Sequence, residues 1–173
     1  MHNQLAIASL TTPLGELGLV AGEHGLIRVS FGANLSKSLN GLLARRRDRG
    51  NGRCRPWEVL EQACTELGEY LCSAREKFDT PLDFSSGTEF QRAVWRRLRR
   101  VKYGEIVSYS RLAAAAGKPR AIRAVGNAVG ANPLPIFVPC HRVIASDGGI
   151  GGFSGGLRTK RKLLSVEGIE VVQ

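Results

Sequence analysis

The stretch Ser108-Tyr109-Ser110-Arg111-Leu112-Ala113-Ala114-Ala115-Ala116-Gly117-Lys118-Pro119-Arg120-Ala121-Ile122-Arg123-Ala124-Val125-Gly126-Asn127-Ala128-Val129-Gly130-Ala131 decides how the second half of the chain is read. Ser108 can cap a helix over Tyr109–Ala116, Gly117 ends it, and Pro119 sits where a first-turn proline is tolerated before a second helix running to about Ala131. Two short helices joined by a Gly-containing turn form a helix-turn-helix pattern. In the second helix Ile122, Val125 and Val129 form an inward stripe, while Ala121, Ala124, Gly126, Ala128 and Gly130 leave most of the remaining surface bare. A bare helix can lie against a minor groove only about 6 Å wide, with a longer side chain such as Arg123 reaching further. Tight helix packing favours the same small residues, so this stretch alone leaves both explanations standing.

Outward from this pair, Thr88 can cap a helix whose Phe90, Val94, Leu98 and Val101 make a stripe, with Arg92, Arg96, Arg97, Arg99 and Arg100 mostly off it. On the other side comes Pro135-Ile136-Phe137-Val138-Pro139-Cys140-His141-Arg142-Val143-Ile144, where a thiol and an imidazole stand side by side in an apolar run. The prolines exclude a central sheet position and stiffen the approach to Cys140. A lone cysteine is more often an inert buried hydrophobe, but adjacent cationic and hydrogen-bonding groups are what populate a thiolate. The segment Ser146–Gly156 then carries six glycines and is read as a loop, without the spacing of a nucleotide-cofactor motif. A closing helix is expected over Arg158–Val166, followed by Glu167 and a capping Gly168.

The first half has another character. Leu5–Ala8, Leu17–Val20 and Leu26–Phe31, separated by Gly- and Pro-containing turns, predict a small antiparallel meander. A short helix is expected over Leu35–Arg47, leading into an Arg- and Gly-rich surface loop over Arg45–Arg53. Trp57, Leu60, Cys64, Leu67 and Leu71 recur at helical spacing, so a helix over 57–73 is expected to lay that stripe on the meander. The extended segment Phe78–Phe84 marks the boundary between an α/β support domain, 1–84, and a C-terminal domain, 85–173. The fold class is therefore α/β: a small antiparallel sheet with a helix, then a mainly helical domain containing the helix-turn-helix.

The totals narrow the partners. Twenty-five Lys and Arg against fifteen Asp and Glu leave a formal charge of +10, which suits a polyanion without choosing among DNA, RNA and an acidic membrane. No apolar run approaches the length of a bilayer span and the start lacks a signal-peptide pattern, so a cytoplasmic location is expected. Cys54, Cys64, Cys72 and Cys140 form no CxxC pair and read as thiols.

Pro-Cys-His-Arg-Val at 139–143, preceded by Asn132-Pro133 and by Tyr109 and Arg123, and followed by Ser154-Gly155-Gly156 and Glu167-Gly168, closely resembles the O6-alkylguanine-DNA alkyltransferases. The resemblance is strongest over 88–173 and weaker over 1–84. It implies that Cys140 accepts the alkyl group from guanine O6, or thymine O4, once and irreversibly, so that the protein acts as a monomer without a cofactor, whether or not binding along DNA is cooperative. It further implies that His141 takes the thiol proton through a bound water, with Glu167 orienting the imidazole and Asn132 bracing the surrounding turn. Tyr109 would protonate the leaving guanine and help rotate the nucleotide out of the duplex; Arg123 would fill the vacated space. By the same resemblance Pro135, Val143, Ile150 and Phe153 line the alkyl pocket, the backbone of Val143 and Ser154 reads the base, and Gln91, Ser110, Lys118 and Ser146 contact the DNA backbone.

Two departures follow from the residues. Where some relatives bind zinc near the amino terminus, this chain has Asn3, Gly22 and Ile27, and His2 with His24 makes no tetrahedral set, so no metal is expected. Gly130 stands where some relatives carry a basic side chain. Arg142 is read either as a DNA contact or as half of a structural ion pair. The rival functional reading is a lesion-binding module without chemistry, against which Cys140 stands.

Overall fold

In the computed structural model, which describes residues 5–32 and 55–170, turn chemistry sets the first half. Strands β1 (Ala6–Thr12), β2 (Gly15–Gly22) and β3 (Gly25–Phe31) pair antiparallel in the order β1-β2-β3, with Ala6 opposite Ala21 and Thr12 opposite Gly15. Gly15 closes the first turn at φ +97°. Gly25 stands at φ +145°, and a Cβ there would lie 2.5 Å from the Pro81 carbonyl oxygen, so only glycine admits the incoming 81–83 segment. That segment is tied on through Leu26 N–H to Pro81 O at 2.8 Å and Asp83 N–H to Leu26 O at 2.9 Å.

Helix α1 (Arg55–Leu71) packs on all three strands, but not by the expected stripe. It buries Pro56, Val59, Leu60, Ala63, Glu66, Leu67 and Tyr70, leaving Trp57 40% exposed and Cys64 half-buried. The helix is rotated because Glu66 is needed inside: its Oε2 accepts the N–H groups of Asp79 and Thr80, both at 3.0 Å, and the Thr80 hydroxyl at 2.7 Å. Burial raises the Glu66 pKa, but these bonds and one from Gln62 outweigh it, and the carboxyl is held below its ordinary value. The expected helix over Leu35–Arg47, the Arg45–Arg53 loop, His2, Asn3 and Cys54 lie outside the described residues.

The chain divides into two units, Met1–Phe84 and Ser85–Gln173. The second unit orders as α2 (Glu89–Leu98), β4 (Val107–Ser108), α3 (Tyr109–Ala115), α4 (Ile122–Gly130), a 3₁₀ turn (Cys140–Arg142), β5 (Val143–Ile144) and α5 (Leu157–Val166). Thr88 opens α2 through a capping box, its side chain accepting from Gln91 N–H while Gln91 reaches back to Thr88 N–H. The buried residues of α2 are Val94, Trp95 and Leu98; Trp95 donates to Ala128 O at 2.8 Å and so fastens α2 to α4.

Ser108 caps α3 as expected. The second helix starts later than expected, because Pro119 lies in a turn closed by Ala121 N–H to Lys118 O at 2.9 Å, and Ala121 is not helical. α3 and α4 pack together, an arrangement consistent with the expected helix-turn-helix. On α4 the inward set is Val125, Ala128 and Val129; Ile122, at the first turn, is 43% exposed rather than buried. The small residues divide between two faces: Ala128 is packed inside, whereas Ala124 and Gly130 are exposed. A parallel pairing of β4 with β5, Val107 to Val143 and Ser108 to Ile144, was not expected from sequence. Among the described residues no helix is long and apolar enough to cross a membrane, and no group of three or more His, Cys, Asp or Glu is placed to hold a metal ion.

Candidate active site

The approach to Cys140 is a buried turn organised by one amide. Asn132 Oδ1 accepts Leu134 N–H at 3.0 Å, and its Nδ2 donates to Val138 O at 2.9 Å and to the Cys140 sulfur at 3.2 Å. Val138 N–H returns to Leu134 O at 2.8 Å, bending the chain so sharply that Ile136 adopts φ +77°. Such a conformation is rare for a β-branched residue and persists only where the surroundings over-determine it. Here Leu134, Ile136 and Val138 are buried, as are Pro135 and Pro139. Cys140 therefore arrives as the first residue of a single 3₁₀ turn, only 4% exposed.

The next two residues point into a second buried cluster. His141 Nε2 lies 2.7 Å from Glu167 Oε1. A carboxylate accepts, so the imidazole carries its proton on Nε2 and turns Nδ1, the lone-pair nitrogen, away from Glu167. Arg142 Nε donates to both oxygens of Glu167, at 3.1 and 2.9 Å, and its Nη2 donates to Oε1 at 2.9 Å. Its Nη1 reaches Val101 O at 2.5 Å, and Gly104 N–H donates to Glu167 Oε2 at 3.1 Å. Of the two readings of Arg142, the ion pair is the one the structure contains. Glu167 is held there as the C-cap of α5, which Gly168 terminates at φ +72°.

The electrostatics follow from this burial. The Cys140 thiol is pushed up to about 11, chiefly by loss of solvent, against the pull of the Asn132 amide, the Lys160 charge and the N–H groups of Cys140 and His141. His141 is depressed below its ordinary value, burial first and the Arg142 and Lys160 charges next, although Glu167 pulls the other way. The Tyr109 phenol is raised by burial and by the neighbouring Cys140. At neutral pH the site holds a protonated thiol, a neutral imidazole and a protonated phenol.

The other sequence-derived residues divide by location. Tyr109, half-buried, opens α3; a Cβ on Gly126 of α4 would lie 3.9 Å from its ring, and one on Gly151 would lie 3.5 Å from its hydroxyl. The glycine-rich loop thus comes against the phenol. Ser110 and Ser146 are brought together, with their hydroxyls 3.0 Å apart and Ser110 also 2.9 Å from Ser108. The Phe153 ring stands edge-on to His141 with centroids 6.5 Å apart. Pro135 and Val143 are buried, Ile150 is half-buried, and Ser154, Lys118 and Arg123 are exposed. Gln91 is engaged in the α2 capping box.

Two groups escaped the sequence reading. Lys160 is 0% exposed, and its ammonium donates to Val143 O and Ile150 O, each at 2.5 Å, and to Gly152 O at 3.3 Å. Its signal was available: 160, 163, 164 and 167 share one face of α5, so a lysine stood on the apolar stripe beside Glu167. Of the turn at 101–104 the sequence reading uses only Val101, in the α2 stripe, yet the turn supplies Val101 O and Gly104 N–H to the Arg142–Glu167 pair, and Tyr103 donates to Val166 O. Nothing in its residue types announces that role.

Comparison with known proteins covers both units. Residues 5–84 match the ribonuclease-like domain of 6-O-methylguanine DNA methyltransferase, and residues 89–169 match its DNA binding domain. The constitutive methylated-DNA--protein-cysteine methyltransferase of Bacillus subtilis is 40% identical over 159 residues, 91% of this chain and 92% of its own length. The human methylated-DNA--protein-cysteine methyltransferase is 38% identical over 166 residues, 92% of this chain and 79% of its own. Among solved structures, Mycobacterium tuberculosis OGT in complex with DNA is similar at a TM-score of 0.76 and 34% identity, over 94% of this chain and 92% of that one.

Proposed function

Because this chain belongs to the 6-O-methylguanine DNA methyltransferase family, we propose that it repairs O6-alkylguanine in duplex DNA by moving the alkyl group onto Cys140, once per molecule. The observation that carries the proposal is the juxtaposition of a thiol held by Asn132 with a His141–Glu167 pair at 2.7 Å. The sulfur attacks the alkyl carbon in line, an S–C bond forms, and the C–O6 bond breaks. The thiol proton passes through a water to His141 Nδ1, and the imidazolium formed is matched by Glu167. Tyr109 donates its proton to the departing guanine. The product is a thioether, which has no leaving group that water readily displaces, so turnover stops after one event.

A thiol this well buried cannot reach a base stacked in a duplex, so the nucleotide must leave the stack. Tyr109 and Arg123 sit at the starts of α3 and α4, and the exposed Ala124 and Gly130, near the two ends of α4, leave it a low surface for the minor groove. Ser110, Ser146, Lys118 and Gln91 contact the flanking phosphates, Pro135, Val143, Ile150 and Phe153 receive the alkyl group, and the backbone of Val143 and Ser154 reads the base. The 1–84 unit supports this one. The unpaired Cys64, Cys72 and Cys140 fit a reducing cytoplasm.

The test mixes the protein with duplex DNA carrying isotopically labelled O6-methylguanine and locates the label by peptide mass spectrometry. Label confined to Cys140, saturating near one per protein and absent from Cys140→Ala, is the expected result. Continued turnover, or label elsewhere, would refute the proposal.

A further inference from the structure

The glycine-rich loop poses a physical problem. Ser146–Gly156 contains six glycines, so ordering it forfeits more backbone freedom per residue than an ordinary loop, with few side chains to repay it. The loop's own bonds are local: Gly149 N–H to Asp147 Oδ1 at 3.0 Å, Gly148 N–H to Ala145 O at 3.1 Å, Ala145 N–H to Gly149 O at 2.9 Å and Gly156 N–H to Phe153 O at 3.0 Å. None of these ties Ile150–Gly152 to another segment, and the loop comes against Tyr109 at Gly151 and against His141 at Phe153.

We infer that Lys160 is a positioning residue, its buried ammonium gathering the Val143, Ile150 and Gly152 carbonyls so that the glycine loop becomes a fixed wall of the alkyl-transfer pocket. An ammonium has three N–H donors, and here three carbonyls from two segments converge on them. Burying such a charge is expensive, so its presence on the apolar face of α5 demands a return. The return is that β5, which follows the Cys140–His141 turn, and the loop, which carries Ile150 and Phe153, are held to the helix that ends in Glu167. The titratable groups that register its charge are Cys140 and His141. Burial pulls the Lys160 ammonium down to about 8, against the Cys140 charge, so alkali can remove the third donor from the wild-type protein itself.

The inference rests on the repair reading only for what the pocket does, and the test separates the two. Hydrogen–deuterium exchange of the free protein reads the 145–153 amides in wild type and in Lys160→Met, while single-turnover transfer from O6-methylguanine duplex and affinity for unmodified duplex are measured alongside. Expected are loop exchange and transfer altered by about tenfold or more in opposite directions, with plain DNA affinity and exchange in α3 and α4 unchanged. Lys160→Arg, which keeps charge and donors, should recover part of the loop protection. If Lys160→Met does not fold, wild-type loop protection, corrected for intrinsic exchange, should still fall as pH rises through 8. Loop exchange within about twofold of wild type in the folded variant, or no wild-type loss of loop protection through pH 8, overturns the inference. A wild type that transfers no alkyl group refutes the repair reading instead, and the exchange comparison still decides the role of Lys160.

Discussion

Arg142 clasps Glu167 through three hydrogen bonds, Nε to both carboxylate oxygens and Nη2 to Oε1, all between 2.9 and 3.1 Å, while the same carboxylate holds His141. Both side chains are almost fully buried. Removing one member of such a pair leaves the other charge uncompensated, which typically destabilises by about 3–5 kcal/mol. Arg142→Ala should therefore lower the unfolding free energy by that order, read as a fall in the urea midpoint at unchanged m. Arg142→Lys should recover only part of it, because an ammonium cannot reproduce the planar fork. Equal stability of Arg142→Ala and wild type would contradict the role of the pair.

Asn132 makes three bonds that shape the turn and touch the nucleophile. Asn132→Asp keeps the shape and the acceptor for Leu134 N–H but replaces the donor facing sulfur with an acceptor. The thiolate then loses a hydrogen bond and gains a like charge, both raising the thiol pKa further. Single-turnover transfer should slow by about tenfold or more, for about 1.4 kcal/mol of lost stabilisation, with far-UV circular dichroism unchanged. An undiminished rate would remove Asn132 from the chemistry.

The raised Cys140 thiol makes a pH prediction. Because thiolate is the attacking form and its fraction grows with pH below the pKa, carbamidomethylation of Cys140 by iodoacetamide in the DNA-free protein should climb through pH 8, 9 and 10, with its midpoint at about 11. Peptide mass spectrometry identifies the modified cysteine. Reactivity of Cys140 that levels near the ordinary thiol value of 9.0 would mean that burial does not control the sulfur.

Gly87 is required by packing rather than by backbone angle. A Cβ there would lie 2.3 Å from the Trp95 ring, which is itself bonded to Ala128. Gly87→Ala should destabilise by about 1–3 kcal/mol through forced displacement of Trp95, read as a drop in thermal midpoint with altered tryptophan fluorescence. An unchanged midpoint would show that the ring moves at no cost.

The residues of the candidate site were legible because their signals are local. A Pro-Cys-His-Arg-Val run, cap residues such as Thr88 and Ser108, and glycines such as Gly168 act within a few residues of themselves, and side-chain capping or positive φ follows from residue type. The face of α1 was not legible. Apolar residues lie on both sides of its axis, and the choice fell to Glu66, whose partners Asp79 and Thr80 are remote in sequence.

By itself, then, the sequence determined which residues could react, where α2 and α3 are capped, and that the chain carries an excess of positive charge. Tertiary structure alone decided that Arg142 serves Glu167, that Lys160 is buried against three carbonyls, and that β4 meets β5 beside the nucleophile. The division has a physical cause. Caps and turns are satisfied by neighbours along the chain, whereas a buried charge is tolerated only where distant segments supply its partners, and no local pattern specifies which segments those are.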